Sequence, residues 1–399
     1  MYDRKLNTPA EEIERRIRAL QIALSAKDLE AALVLQRVDL LYFTGTIQQA
    51  ALFVPVEGDP LLMVSKTLAR ARAESPLPRI AALASPREIP ALLARQGYAP
   101  PRSLGMELDV LPVNHYLSYR ELFGEVPVAD IAPEIRLARA VKSPYEIALM
   151  REAAACSDRL AAAVPDLLRV GVTEIELAGR IEAEARRMGH QGVVRMRLWG
   201  SEMFFGHLLA GPSGAVPSYL SSPTGGSGVS PAVAQGAGFR PIRRHEPVLV
   251  DYVFAHRGYV SDHTRIFCIG RLPEPLAAAH ATMLELQARI VEMARPGVAS
   301  GALYAAALDF ATRRGYGEHF MGYGGERVRF VGHGVGLELD EFPFLNAGQS
   351  LALQQDMVIA LEPKLIFPGK GVVGIENTHR VTENGLERLG RFPDEVVEI

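Results

Sequence analysis

Ile13, Ile17, Leu20 and Leu24 recur at intervals of three and four, laying one apolar stripe along a helix in "EEIERRIRALQIALSAK". The apolar runs "AALVLQ", "ALFVPV" and "LLMVS" follow, each too short for a helix, and read as strands. Helical and strand patterns alternate in this way through residues 11 to 140, which predicts an α/β unit over 1–140. It gives way at "VKSPYEIALMREAA", where Ser143 suits an N-cap, Pro144 the first helical position and Glu146 a capping box. A new helix, and a second domain over 141–399, is expected to start there.

The second part contains a repeat. "RVGVTEIELAGRIEAEARRMG" (169–189) and "RPGVASGALYAAALDFATRRG" (295–315) align without gaps at an offset of 126, and both read as a turn followed by an amphipathic helix. The same offset pairs Phe204 with Phe330, Gly206 with Gly332 and His207 with His333. A duplicated half-domain is the expectation.

Each half ends in a hairpin pattern. Two β-rich runs flank His256-Arg257-Gly258 in "VLVDYVFAHRGYVSDHTRIF", and two more flank Pro368-Gly369-Lys370-Gly371 in "MVIALEPKLIFPGKGVVGIENTHRVT". With the first turn centred between His256 and Arg257, Asp251 faces Asp262; with the second centred on Gly369, Glu362 faces Glu376. Facing Cβ atoms in such pairs lie about 5 Å apart.

Like charges facing each other in apolar strands repel unless they share a proton or a cation. No lysine or arginine of either hairpin is expected to serve the four acids, so two divalent ions are. Oxygen ligands joined by one imidazole suit Mn, Co, Zn or Fe. "FVGHGVGLELDEFP" supplies that imidazole as His333, whose flanking glycines are expected to let the backbone approach the site. Glu338, Asp340 and Glu341 of the same segment read equally well as surface charges.

Composition narrows the function classes. The 399 residues carry 43 basic and 46 acidic side chains, a net charge of −3, without the basic excess that nucleic-acid binding requires. Hydrophobic residues make up 48% of the chain, ample for two cores. Cys156 and Cys268 are the only cysteines, too few for a disulfide framework or a cysteine zinc site, which fits a reducing compartment. The start "MYDRKLNTPAEEIERR" has no apolar segment of signal-peptide type, and no run of about 18 apolar residues occurs, so a cytoplasmic protein without a membrane span is expected.

The order "VDYVFAHRGYVSDHTR", "GHGVGLELDEFP", "ALEP" and "GIENTHRVT" resembles the pita-bread metallopeptidases, the M24 family of methionine aminopeptidase, aminopeptidase P, prolidase and the metal-free creatinase. "ERRIRALQIALSAKDLEAALVLQRVDLLYFTG" resembles the amino-terminal domain of the prolidase and creatinase branch. The resemblance implies an α/β amino-terminal domain followed by an α+β pita-bread catalytic domain with an internal pseudo-twofold repeat. It implies that Asp251 chelates one metal, that Asp262 and Glu376 bridge two, and that His333 and Glu362 complete the second. It further implies a hydroxide bridging the metals as nucleophile, Glu362 handling its proton, a short peptide substrate cut at a proline-containing bond in the manner of an Xaa-Pro dipeptidase or aminopeptidase, and a homodimer.

Two features depart from that family. Its peptidases usually have a second histidine seven residues after the metal histidine, where this chain has Asp340. An aspartate accepts a proton or binds an amine, but an ionised one repels a developing oxyanion. The Pro-His-Gly segment found upstream in prolidases is also missing, and the Gly, Pro and Ser-rich stretch 211–240 contains no histidine, which leaves His207 as the candidate substitute acid or donor and the stretch itself as a candidate lid or rim. Arg265 and Tyr259, beside the second aspartate in strand positions, read equally well as groups that order the carboxylates and as packing. Asp340 as a base would also suit a metal-dependent lyase on this fold, of the kind that eliminates acrylate from dimethylsulfoniopropionate. A binding protein on the same scaffold is the third class, weighed against five retained ligand positions.

Overall fold

The computed structural model describes residues 6–399 and divides the chain into two compact units, one ending at Arg139 and one comprising Ala140–Ile399. The amino-terminal unit holds a six-stranded sheet, in the order Ile80–Ala82, Leu61–Val64, Ala50–Pro55, Ala31–Val34, Leu104–Met106, Val128–Asp130. The three apolar runs form its central strands, and the stripe on helix Ala10–Ala26 is buried at Ile13, Ile17, Leu20 and Leu24.

The second unit opens with helix Pro144–Leu167, capped as its sequence requires: Ser143 accepts from the Glu146 amide, and the Glu146 side chain accepts from the Ser143 amide. Helices Glu174–Arg187 and Ser300–Arg313 are both 14 residues long and begin and end 126 residues apart. The strands that follow them, Gly206–Ala210 and Phe330–Gly334, carry the aligned His207 and His333.

Two sheets frame the site. One runs Val397–Glu398, Tyr259–Cys268, Val248–His256, Gly206–Ala210; the other runs Glu341–Asn346, Phe330–Gly334, Val358–Leu361, Asn377–Thr382, Gly385–Arg388. An antiparallel bridge between Thr264 and Glu376 joins the halves. The two-stranded ribbon Lys364–Phe367 and Gly371–Gly374 completes the second half. Each half has its own apolar core, with Leu286, Met283 and Phe320 in one and Leu177, Ile181 and Phe267 in the other.

The first hairpin departs from the expected register. Its turn is Arg257-Gly258, both at positive φ (49° and 93°), so the turn centre lies one residue further along the chain than expected. Asp251 therefore stands opposite Thr264, and Asp262 opposite Val253. The two acids are thus diagonal neighbours on one face instead of a facing pair. The second hairpin keeps the expected register, with Lys364 opposite Gly374 and Phe367 opposite Gly371.

Candidate metal centre

The strand pleat directs Asp251, Asp262, His333, Glu362 and Glu376 to one cavity. His333 Nε2 lies 3.8 Å from Asp262 Oδ2 and 3.7 Å from Glu362 Oε1. Asp262, His333 and Glu376 each present a ligand atom within 4.8 Å of the others, and all three are buried. Atoms bound to one ion at about 2.0–2.2 Å stand roughly 3–4 Å apart, so the His333 side of the cavity fits a divalent cation.

The Asp251 side is different, and it overturns the expectation that no basic residue of the hairpins serves the acids. Lys364, the second residue after Glu362, lies 1% exposed with Nζ 2.7 Å from Glu362 Oε2, 2.8 Å from Glu376 Oε2 and 3.1 Å from Asp251 Oδ2. Burial disfavours the charge on Lys364, but these three carboxylates outweigh it and hold its pKa well above the usual lysine value.

Burial and the neighbouring charges pull the acids in different directions. Burial acts to raise Asp251, but the Lys364 ammonium outweighs it and leaves the pKa below the ordinary carboxylate value. Burial, with Glu376 and Asp251 adding repulsion, holds Asp262 well above it. Burial also lifts Glu376, to about 7, against the pull of Lys364. His333 is raised: burial opposes its charge, while Asp340, Glu362 and Glu376 favour it.

Two threonines complete the centre. Thr264 Oγ1 donates to Glu376 Oε2 at 2.8 Å, while Thr378 Oγ1 accepts from the Asp262 amide and donates to its carbonyl, both at 2.9 Å. Each threonine follows one of the acids Asp262 and Glu376 by two residues and supports the other, and the repeated patterns Asp-x-Thr and Glu-x-Thr in the sequence carry that signal.

The glycines beside His333 have another cause than the one expected. A Cβ on Gly332 would lie 2.3 Å from the Ala360 carbonyl, and one on Gly334 2.1 Å from the Phe342 carbonyl, so they let the His333 strand fit between its two neighbours. The acids of that segment also divide. Glu341 is buried against Lys142 Nζ (3.1 Å) and accepts from the Leu337 and Glu338 amides; Glu338 is buried 3.7 Å from Arg197 Nη1. These two are internal ion pairs, not surface charges. Asp340 instead lines the cavity with His333.

His207 sits opposite Asp251 on the neighbouring strand and lines the same cavity. Its Nδ1 is 3.2 Å from Thr224 Oγ1 and its Nε2 3.3 Å from Gln235 Oε1; burial lowers its pKa and keeps the imidazole neutral. Within 211–240, Leu220, Ser221 and Ser222 form part of the cavity wall. Arg265 supports the site through the backbone, its Nη1 donating to the Thr264 and Glu376 carbonyls, and Tyr259 donates to Glu146.

An imidazole and a set of buried acids at the seam of a duplicated α+β fold define a carboxylate–histidine centre able to hold a divalent cation. Residues 148–383 match the metallopeptidase family M24, and residues 16–141 match the creatinase/prolidase N-terminal domain. The chain belongs to metallopeptidase family M24.

It is 31% identical to a probable dipeptidase PepE of Mycobacterium tuberculosis over 73% of this chain and 69% of that protein. It is 26% identical to the Xaa-Pro dipeptidase of Pyrococcus furiosus over 96% of this chain and 100% of the other. The solved Xaa-Pro dipeptidase of Bacillus anthracis shares the fold, with a TM-score of 0.83 at 24% identity, covering 97% of this chain and 100% of its own. No helix among the described residues is long and apolar enough to cross a membrane.

Proposed function

We propose that this chain is a metal-dependent dipeptidase that hydrolyses Xaa-Pro peptides. The supporting observation is the convergence of His333 with Asp262, Glu362 and Glu376 on one side of the cavity, in a chain of the M24 family. These four residues hold the cation, which is Mn, Co, Zn or Fe by its donor set. Bound there, it supplies Lewis-acid polarisation of the scissile carbonyl and acidifies water.

Residues 141–399 do the chemistry, and 1–140 form the creatinase/prolidase-like domain. Glu362 turns Oε2 to Lys364 and Oε1 toward His333, and it is the carboxylate that takes the nucleophile's proton and returns it to the departing proline nitrogen. His207, anchored through Nδ1 by Thr224, is the hydrogen-bonding partner of the substrate carbonyl, its Nε2–H passing from Gln235 Oε1 to that oxygen when the peptide binds. Asp340, on the cavity wall, accepts the peptide's free α-ammonium, a role that an ionised carboxylate fills better than contact with an oxyanion. The protein works as a cytoplasmic homodimer, a setting consistent with its two buried free cysteines.

The test is hydrolysis of Ala-Pro, Ala-Ala and Ala-Pro-Ala by manganese-loaded and EDTA-treated protein. Ala-Pro is the expected preferred substrate, cleaved only with metal. Cleavage of Ala-Ala alone refutes the proline specificity, cleavage that survives EDTA refutes the metal chemistry, and acrylate release from dimethylsulfoniopropionate without peptide cleavage replaces hydrolysis by elimination.

A further inference from the structure

We propose that the ammonium of Lys364 occupies the place of a second cation, so that this member of the family holds a single divalent ion, on the His333 side of the cavity. The proposal rests on the metal-site reading above and deepens it.

The three hydrogens of the ammonium are matched by three carboxylate oxygens, one each from Glu362, Glu376 and Asp251, at 2.7, 2.8 and 3.1 Å. An ion bound by those same oxygens at about 2.0–2.2 Å would require the volume that Nζ fills, and would place two positive centres in contact. Ammonium and ion therefore exclude each other on the Asp251 side. On the other side nothing of the kind intervenes: Glu362 keeps Oε1 3.7 Å from His333 Nε2, and Asp262 keeps Oδ2 at 3.8 Å.

The lysine is built into the fold rather than resting in it by chance. Its residue begins the ribbon strand, its carbonyl accepts from the Met321 amide at 3.0 Å, and the residue opposite is Gly374. A Cβ on Gly374 would lie 2.7 Å from Lys364 Cα and 3.0 Å from its Cγ, so the glycine opens the path along which the lysine stem reaches the acids. Asp251, which on the register of its hairpin stands apart from Asp262, is left facing the ammonium.

The experiment is manganese stoichiometry on the 399-residue chain, by elemental analysis after saturation and removal of excess ion, together with electron paramagnetic resonance. One manganese per chain with the spectrum of an isolated ion is expected, and Lys364→Ala is expected to take up two that are magnetically coupled. Two coupled ions in the unsubstituted chain, or a single ion in Lys364→Ala, overturns the proposal and leaves the metallopeptidase reading standing. No manganese in either protein overturns both. Should Lys364→Ala fail to fold, anomalous diffraction from manganese-soaked crystals of the unsubstituted protein decides: one peak beside His333 with Lys364 still on the acids supports the proposal, and two peaks overturn it.

Discussion

Glu376 links the proton, the cation and the stability of the catalytic unit, and the substitution Glu376→Gln separates them. Burial is the main cause that lifts this carboxyl from 4.5 to about 7 in the folded chain. A folded-state pKa above the unfolded one contributes stability that is complete below 4.5 and lost as pH rises through 7. At about 1.4 kcal/mol per pH unit, the metal-free protein loses about 3 kcal/mol across that window on account of Glu376 alone. The substituted amide cannot ionise, so the stability of Glu376→Gln relative to the unsubstituted chain should improve by about 3 kcal/mol between pH 4.5 and 7 in EDTA. The lost hydrogen bonds to Thr264 and Lys364 set an offset, and relief of the repulsion between Glu376 and Asp262 adds to the slope in the same direction. Urea unfolding followed by far-ultraviolet circular dichroism is the assay, because the single tryptophan, Trp199, is 99% exposed and would report little of the core. Metal should reverse the trend. Binding requires the deprotonated ligand, so manganese at 100 times its Kd adds about 2.7 kcal/mol to the unsubstituted chain at neutral pH and less as pH falls. A difference between the two proteins that stays flat from pH 4.5 to 7 would refute the buried-carboxyl argument.

Arg265→Met should cost about 3–5 kcal/mol of stability, since it strips hydrogen bonds from the carbonyls of Thr264, Glu376, Phe392 and Pro393 and from Asn377, and leaves the ion-pair partner Asp394 behind; a loss below about 1 kcal/mol in denaturant unfolding would contradict this. Burial drives His379 down to about 4 from 6.5, so its neutral form contributes stability above pH 6.5 that is lost as pH falls toward 4. The advantage of the unsubstituted chain over His379→Gln should shrink by about 3 kcal/mol across that window, and an advantage that holds constant would count against it. Asp340→Ala should raise KM for Ala-Pro by about tenfold or more with a smaller effect on kcat, as expected for lost binding of the substrate ammonium, and a fall in kcat alone would point to proton transfer instead.

Much of the frame is legible along the chain because the deciding interactions are local. Ser143 and Glu146 cap a helix within one turn, and the two 14-residue helices at an offset of 126 carry their apolar faces in their own sequences. The second hairpin is readable for the same reason: Gly369, at φ 75°, fixes a turn whose register follows by counting. The first is not, since three residues in a row could serve as its turn. Only the backbone shows that Arg257 joins Gly258 at positive φ, and the resulting shift turns a facing pair of aspartates into a diagonal one.

The centre itself is where counting fails, because its electrostatics join residues that sequence distance keeps apart. Glu341 meets Lys142, 199 residues earlier, and a run of three acids that looks solvated becomes two buried ion pairs and one cavity residue. Lys364 is nearer to hand, yet a lysine on a short ribbon ordinarily marks a solvated edge. Strand alternation does place it on the face of Glu362, two residues before it, and the second hairpin's register sets Gly374 opposite. Those two facts, read together, predict a long side chain lying across a glycine toward the acids. That one stem divides the charge balance of the site: Asp251, facing the ammonium, is held below the ordinary carboxylate value, while Asp262 and Glu376 keep raised pKa values that a divalent ion would relieve.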